Sequence, residues 1–201
     1  MEKVSSIVSI VALAVSLFTL WFTVLRRGSV RSTHPSFIAI RYDFVDKPVP
    51  QAKVFLRTLL YSTGKRGLVI ENLFLRVSEG TRSEEFSFWG YGDKGLVRGS
   101  GIFVPEIGVV TYHHFNPIHT DKFFQFTQGT YTLELVAKLV GKKRLVSLWN
   151  IQLDVPAGAY ETSIPRDRAI FFNWSPEERR YVASVEKRSG YMNAFSEPMK
   201  S

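Results

Sequence analysis

Three of the chain's four histidines, His113, His114 and His119, fall within seven residues, and Asp121 follows two positions later. Imidazoles and carboxylates are the ligands that zinc and other transition metals use, and the groups that carry protons in catalysis. Val109 to Phe115 reads as a strand, however, so His113 and His114 point to opposite faces and cannot both ligate from one side. That leaves His113, His119 and Asp121 as the candidate metal set. The competing reading is one half-buried histidine and two loop residues.

Other chemistry finds less purchase. Serine, histidine and aspartate all occur, but there is no nucleophile elbow. Glu84 and Glu85 are neighbours in a strand-like segment and face opposite sides, which spoils them as an acid–base pair. Gly90, Gly92 and Gly95 match the bare GxGxxG spacing, yet no helical pattern follows, as dinucleotide binding requires. The absence of cysteine removes disulfides, thiolate metal sites and cysteine nucleophiles. No catalytic residue and no cofactor is expected.

The element that must position everything else is the stretch from Val4 to Leu25, which has no charge, proline or glycine. As a helix it covers roughly 33 Å at about 1.5 Å per residue, enough for a bilayer core. The apolar run exceeds the core of a signal peptide and ends without a small-x-small cleavage site, so an uncleaved single-pass anchor is expected. Lys3 precedes it, offset by Glu2; the basic residues Arg26, Arg27 and Arg31 follow. The positive excess on the C-terminal side predicts the N-terminus outside and the remaining chain in the cytoplasm.

Within the helix, Ser5, Ser9, Ala12, Ser16, Thr19 and Thr23 are spaced 4, 3, 4, 3, 4. Small and hydroxyl residues on one stripe let two helices approach, and a 3.5 period implies a left-handed crossing. The partner would be a second copy or another membrane protein. Equally, the hydroxyls can bond their own backbone and mean nothing for association.

Beyond the anchor, the 45% hydrophobic content can build a core, and 16 Phe, 8 Tyr and 4 Trp favour strands. The net charge is +8. The runs Lys65-Arg66 and Lys142-Lys143-Arg144 lie where hairpin tips belong, either as solvated turns or in reach of anionic headgroups. Nucleic acid is an unlikely partner, because no recognition helix or RNA-binding aromatic motif is present.

Period-two alternation and turn residues mark consecutive strands from Phe37 to Val155. Thr130 to Val140 is the clearest. The segment from Phe124 to Tyr131 resembles the gly-x-tyr approach to a late strand of immunoglobulin-like sandwiches, where the tyrosine makes a corner. The resemblance implies only a fold: an all-β, antiparallel β-sandwich, immunoglobulin-like at its closest.

The expected organisation is a transmembrane helix over 4–25, a basic juxtamembrane tether over 26–35 and a β-sandwich over 36–155. A C-terminal segment over 156–186 docks in part on the sandwich or adds an edge strand, with a short helix begun by Ser175-Pro176, and 187–201 is a disordered tail. Asn173-Trp174-Ser175 fits a glycosylation sequon, but the following proline and a cytoplasmic location argue against its use. The function expected is a membrane-anchored, non-enzymatic module that recruits an unknown protein ligand to the bilayer. The alternatives are a membrane-tethered enzyme with its site around His113–Asp121, or a signal-anchored envelope protein facing outside.

Overall fold

In the computed structural model, residues 2–26, 28–43, 51–92, 95–99, 101–119, 124–158 and 168–187 are described. The apolar stretch forms α1 (Glu2–Leu20), which runs into a π-helical turn, Trp21–Leu25. The Arg26 N–H closes that turn by donating to the Trp21 carbonyl at 2.8 Å. The helix is long and apolar enough to cross a membrane or to serve as a signal sequence, and no part of that window is buried against the rest of the chain.

Everything after the helix is strand and turn. The strands are β1 (Val30–Ser32), β2 (Phe37–Asp43), β3 (Gln51–Ser62), β4 (Leu68–Glu79), β5 (Arg82–Gly92), β6 (Gly95–Arg98), β7 (Ile102–Val104), β8 (Val109–Pro117), β9 (Gly129–Leu139), β10 (Val146–Val155), β11 (Arg168–Ser175) and β12 (Arg180–Lys187). Alternation sets their sidedness. In β9, Tyr131, Leu133, Leu135, Ala137 and Leu139 are buried on one side, with Thr132, Glu134 and Lys138 on the other.

All the strands join one antiparallel sheet in the order β10-β9-β4-β5-β8-β3-β2-β11-β12, with β1, β6 and β7 added alongside. The sheet curls until its terminal strands, β10 and β12, lie side by side without a hydrogen-bonded ladder between them. It is therefore a nearly closed barrel. The all-β antiparallel expectation holds, while the immunoglobulin-like sandwich is not established, because one continuous ladder path replaces two stacked sheets. Tyr131, Phe86, Phe115, Phe126 and Phe172 are the largest side chains sealed inside.

The tyrosine corner is nevertheless present locally. The Thr127 N–H donates to the Tyr131 hydroxyl at 2.8 Å, and the Phe126 N–H donates to the Tyr42 hydroxyl at 2.7 Å. Two buried phenols thus take up backbone donors of a segment that belongs to no strand, which a buried segment requires.

Two expectations are corrected. The short helix begun by Ser175-Pro176 is a turn followed by strand β12. The Ser175 hydroxyl does accept from the Glu178 N–H (3.2 Å), but Arg179 then takes a left-handed conformation (φ 52°) that ends the turn and starts the strand. Second, the sheet extends beyond Val155. β11 is an inner strand, with Phe172 opposite Ile38 on one side and Ala183 on the other, so the C-terminal segment completes the barrel rather than resting on it. Lys187 is the last residue of β12, and the expected disordered tail after it lies outside the described residues.

The juxtamembrane segment contains its own strand. β1 pairs with β3, Val30 opposite Ser62, and Val30 is buried. Just before it, Gly28 rests on Gly64 so closely that a Cβ on Gly28 would sit 2.2 Å from the Gly64 nitrogen. The Ser29 and Thr63 main chains are also joined, Thr63 N–H to Ser29 carbonyl at 3.0 Å. Sequence cues for this strand are poor because its partner is recruited through backbone rather than an apolar run.

Candidate binding face

Strand β8 carries both central histidines. His113 points into the barrel, fully buried, with its ring 5.4 Å from Phe88 and 6.2 Å from Phe115. His114 points outward and is also buried, 4.8 Å from the Phe55 ring. His119 is an exposed loop residue, and Asp121 lies outside the described residues. The structure therefore places His113 and His119 in different environments. Among the described residues no group of His, Asp and Glu is arranged to hold a metal ion.

His114 is the centre of a second cluster on the outer surface of the sheet. Register places Phe171 opposite Ala39, Ala39 opposite Phe55, Phe55 opposite His114, and His114 opposite Trp89. This is one row across β11, β2, β3, β8 and β5. Ala39, Phe55, Ala169 and Phe171 form a small apolar core there, joined by Phe37. Phe37 stacks on Phe171 at 5.6 Å and meets Phe55 edge-on at 6.0 Å; Phe55 stacks on Tyr112 at 5.7 Å. The alternation of β3, with Lys53, Phe55 and Arg57 on one side, is what gives the sheet a mixed outer face.

The row is flanked by cations. Lys53 is buried on this face beside Arg41, while Arg57 is exposed and sits 5.2 Å over the Tyr112 ring. Burial first, then the positive fields of Lys53, Arg41 and His113, lower the His114 pKa to about 3. The imidazole is thus neutral at ordinary pH. A base that weak gains little by taking a proton, so His114 suits contact better than proton transfer. The exposed margin of Arg57, Tyr112 and Val110 is the part that a partner can reach.

Elsewhere the barrel offers a shallow depression of about 300 Å³ over β4 and β9, lined by Phe74, Val136, Arg76, Glu85, Lys138 and Leu145 among others. Arg76 bridges Glu134 at 2.9 Å and Glu85 at 3.1 Å across its floor. The Glu85 hydrogen bond first, followed by the Coulombic pull of Glu134 and Glu85, raises the Arg76 pKa against a smaller opposing cost of burial. These are surface pairs and add little stability.

The other sequence features fall as follows. Gly90, Gly92 and Gly95 lie in the β5–β6 hairpin, with Gly92 opposite Gly95, and a Cβ on nearby Gly99 would clash with the Phe88 ring at 2.7 Å. On the helix stripe, Ser16 donates to the Ala12 carbonyl at 2.9 Å, Thr19 to Val15 at 2.8 Å and Thr23 to Thr19 at 2.7 Å. Ser9 and Ala12 lie on the same exposed helix. Arg26 places its guanidinium 5.8 Å over the Phe22 ring, Arg31 is exposed on β1, and Arg27 lies outside the described residues. The outer aromatic row was missed by sequence reasoning. Its residues come from β11, β2, β3, β8 and β5, far apart in the chain, and only the mixed second face of β3 hinted at it.

No protein-family model matches this chain, and no curated protein matches its sequence.

Proposed function

We propose that the chain is a single-pass membrane protein whose barrel is a non-enzymatic binding or scaffolding module, recruiting a protein partner to the bilayer. The observation that carries this reading is the junction. The apolar helix passes into β1 through Arg26–Ser29 with no slack, since Gly28 is pressed on Gly64 and Val30 is paired with Ser62. A domain held this way is confined near the membrane plane and at a set orientation, which raises its effective concentration toward anything else held there. The partner contact is the open margin of the outer face, where Arg57 and Tyr112 offer a cation over an aromatic ring. An acidic, aromatic-bearing protein segment suits that chemistry.

The barrel lies in the cytoplasm and the N-terminus outside, on the reading of Arg26, Arg27 and Arg31 as the inner flank. A C-terminal reporter read on both sides of the membrane, with protease protection in intact cells, tests this. Protection before lysis and cleavage after it are expected. Cleavage in intact cells overturns the cytoplasmic placement and favours an envelope protein facing outside. Recruitment itself is tested by a photo-crosslinking residue at Tyr112 in native membranes. A discrete protein adduct that disappears in Arg57→Glu is expected; adducts only to lipid, or none, count against recruitment.

A further inference from the structure

We infer that the end of the barrel from which the helix leaves is a lipid-docking surface that grips anionic headgroups. The inference rests on the membrane-anchored reading above and deepens it. Gly28 and Arg26 lie against Gly64, so the β3–β4 turn with its exposed Lys65 and Arg66 is beside the point where the chain leaves the helix. The Ser62 N–H donates to the Pro105 carbonyl at 3.0 Å, which brings the β7–β8 turn to the same end. At the tip of that turn Ile107 is 91% exposed.

The remaining turn at this end arrives by a second route. Gly67 abuts the Phe103 ring, and Phe103 pairs with Val69. The Val140 N–H donates to the Val69 carbonyl at 3.0 Å, which fixes the β9–β10 turn alongside. That turn carries exposed Lys142, Lys143 and Arg144 between exposed Val140 and Leu145. Phe103 is 57% exposed.

Large apolar side chains left in water beside clustered cations are the composition of an interfacial surface: the side chains enter the headgroup boundary and the cations meet lipid phosphates. The single carboxylate in the β7–β8 turn, Glu106, opposes this only at one corner. Continuity with the anchor selects the occupant. A surface beside the helix exit meets the bilayer before it meets any soluble partner. The opposite end, with the β4–β5 turn at Gly80–Thr81, lies the length of a 12-residue strand away, roughly 35–40 Å at 3.3 Å per residue.

The lack of cysteine permits single-site labelling of the full chain. Ile107→Cys, Leu145→Cys and Thr81→Cys each carry one environment-sensitive dye, reconstituted in phosphatidylcholine vesicles with or without phosphatidylserine and containing headgroup-region quencher lipid. Quenching several-fold stronger at 107 and 145 than at 81 is expected. It is further expected to depend on phosphatidylserine and to fall when Lys142, Lys143 and Arg144 are all changed to Glu. Quenching at 107 no greater than at 81, or unaffected by phosphatidylserine, overturns the proposal. Vesicle flotation in alkaline carbonate separates the two readings. A chain that floats but is not quenched overturns docking alone, whereas a chain that does not float overturns the anchor and the docking with it.

Discussion

A buried imidazole has to stay uncharged, and His114 shows what that does to pH dependence. Its ordinary pKa is 6.5, and in the fold it is about 3. Below pH 6.5 the unfolded chain takes up a proton that the folded chain refuses. Stability is therefore fully present above pH 6.5 and is lost as pH falls toward 3, by at most about 1.4 kcal/mol per unit for one proton. Thermal melts between pH 7 and pH 4 are expected to show a falling Tm that flattens in His114→Phe. A parallel fall in the variant assigns the loss to other groups. The Gly28–Gly64 contact is a second residue-scale constraint. Gly28→Val forces a Cβ into backbone and is expected to cost about 1–3 kcal/mol, read as a lower urea midpoint. A silent substitution would mean that the junction is not packed as described.

At the scale of elements, the C-terminal hairpin turns on a conformation its sequence does not favour. Arg179 holds φ 52° without being glycine. Arg179→Gly is expected to stabilise the chain by about 1 kcal/mol, seen as a higher urea midpoint, while Arg179→Val lowers it. The Tyr131 corner makes a similar forecast. Tyr131→Phe removes the acceptor of the Thr127 N–H and is expected to cost about 1–3 kcal/mol with little change in packing. These elements also show how far sequence reading goes. The strand from Gly129 to Leu139 was legible because its period of two is unbroken, and Tyr131 was legible as a corner because the spacing is local. β1 was not, since Val30-Arg31-Ser32 has no alternation and pairs through backbone. Ser175-Pro176-Glu177-Glu178 misled because one hydroxyl accepting one N–H serves a turn as well as a helix N-terminus. The histidine pair could be split between two faces from sequence alone. The row around His114 could not be drawn, because Phe171 and Ala39 meet across most of the chain.

At the scale of the whole molecule, the helix and the barrel pose separate questions of association. Ser16, Thr19 and Thr23 spend their hydroxyl protons on their own helix, which leaves oxygen lone pairs and small size as what the stripe offers a neighbour. If helices pair along it, Ser9→Leu with Ser16→Leu is expected to weaken self-association in a membrane two-hybrid assay. An unchanged signal removes the homotypic interface and leaves the barrel to make any contact.

The open seam of the barrel has a mechanical meaning. Among the described strands, β12 is held by ladder bonds to β11 alone, and its last pair is Lys187 with Arg168. If the helix is fixed in lipid and a load is drawn on the C-terminus, those bonds break singly from Lys187 inward, as a zipper does, not together in shear. β12 would give way under small force and unroll the wall next to it, while β1, clasped to β3 beside the anchor, still holds. Tension along the chain would thus be felt first at the end farthest in sequence from the membrane.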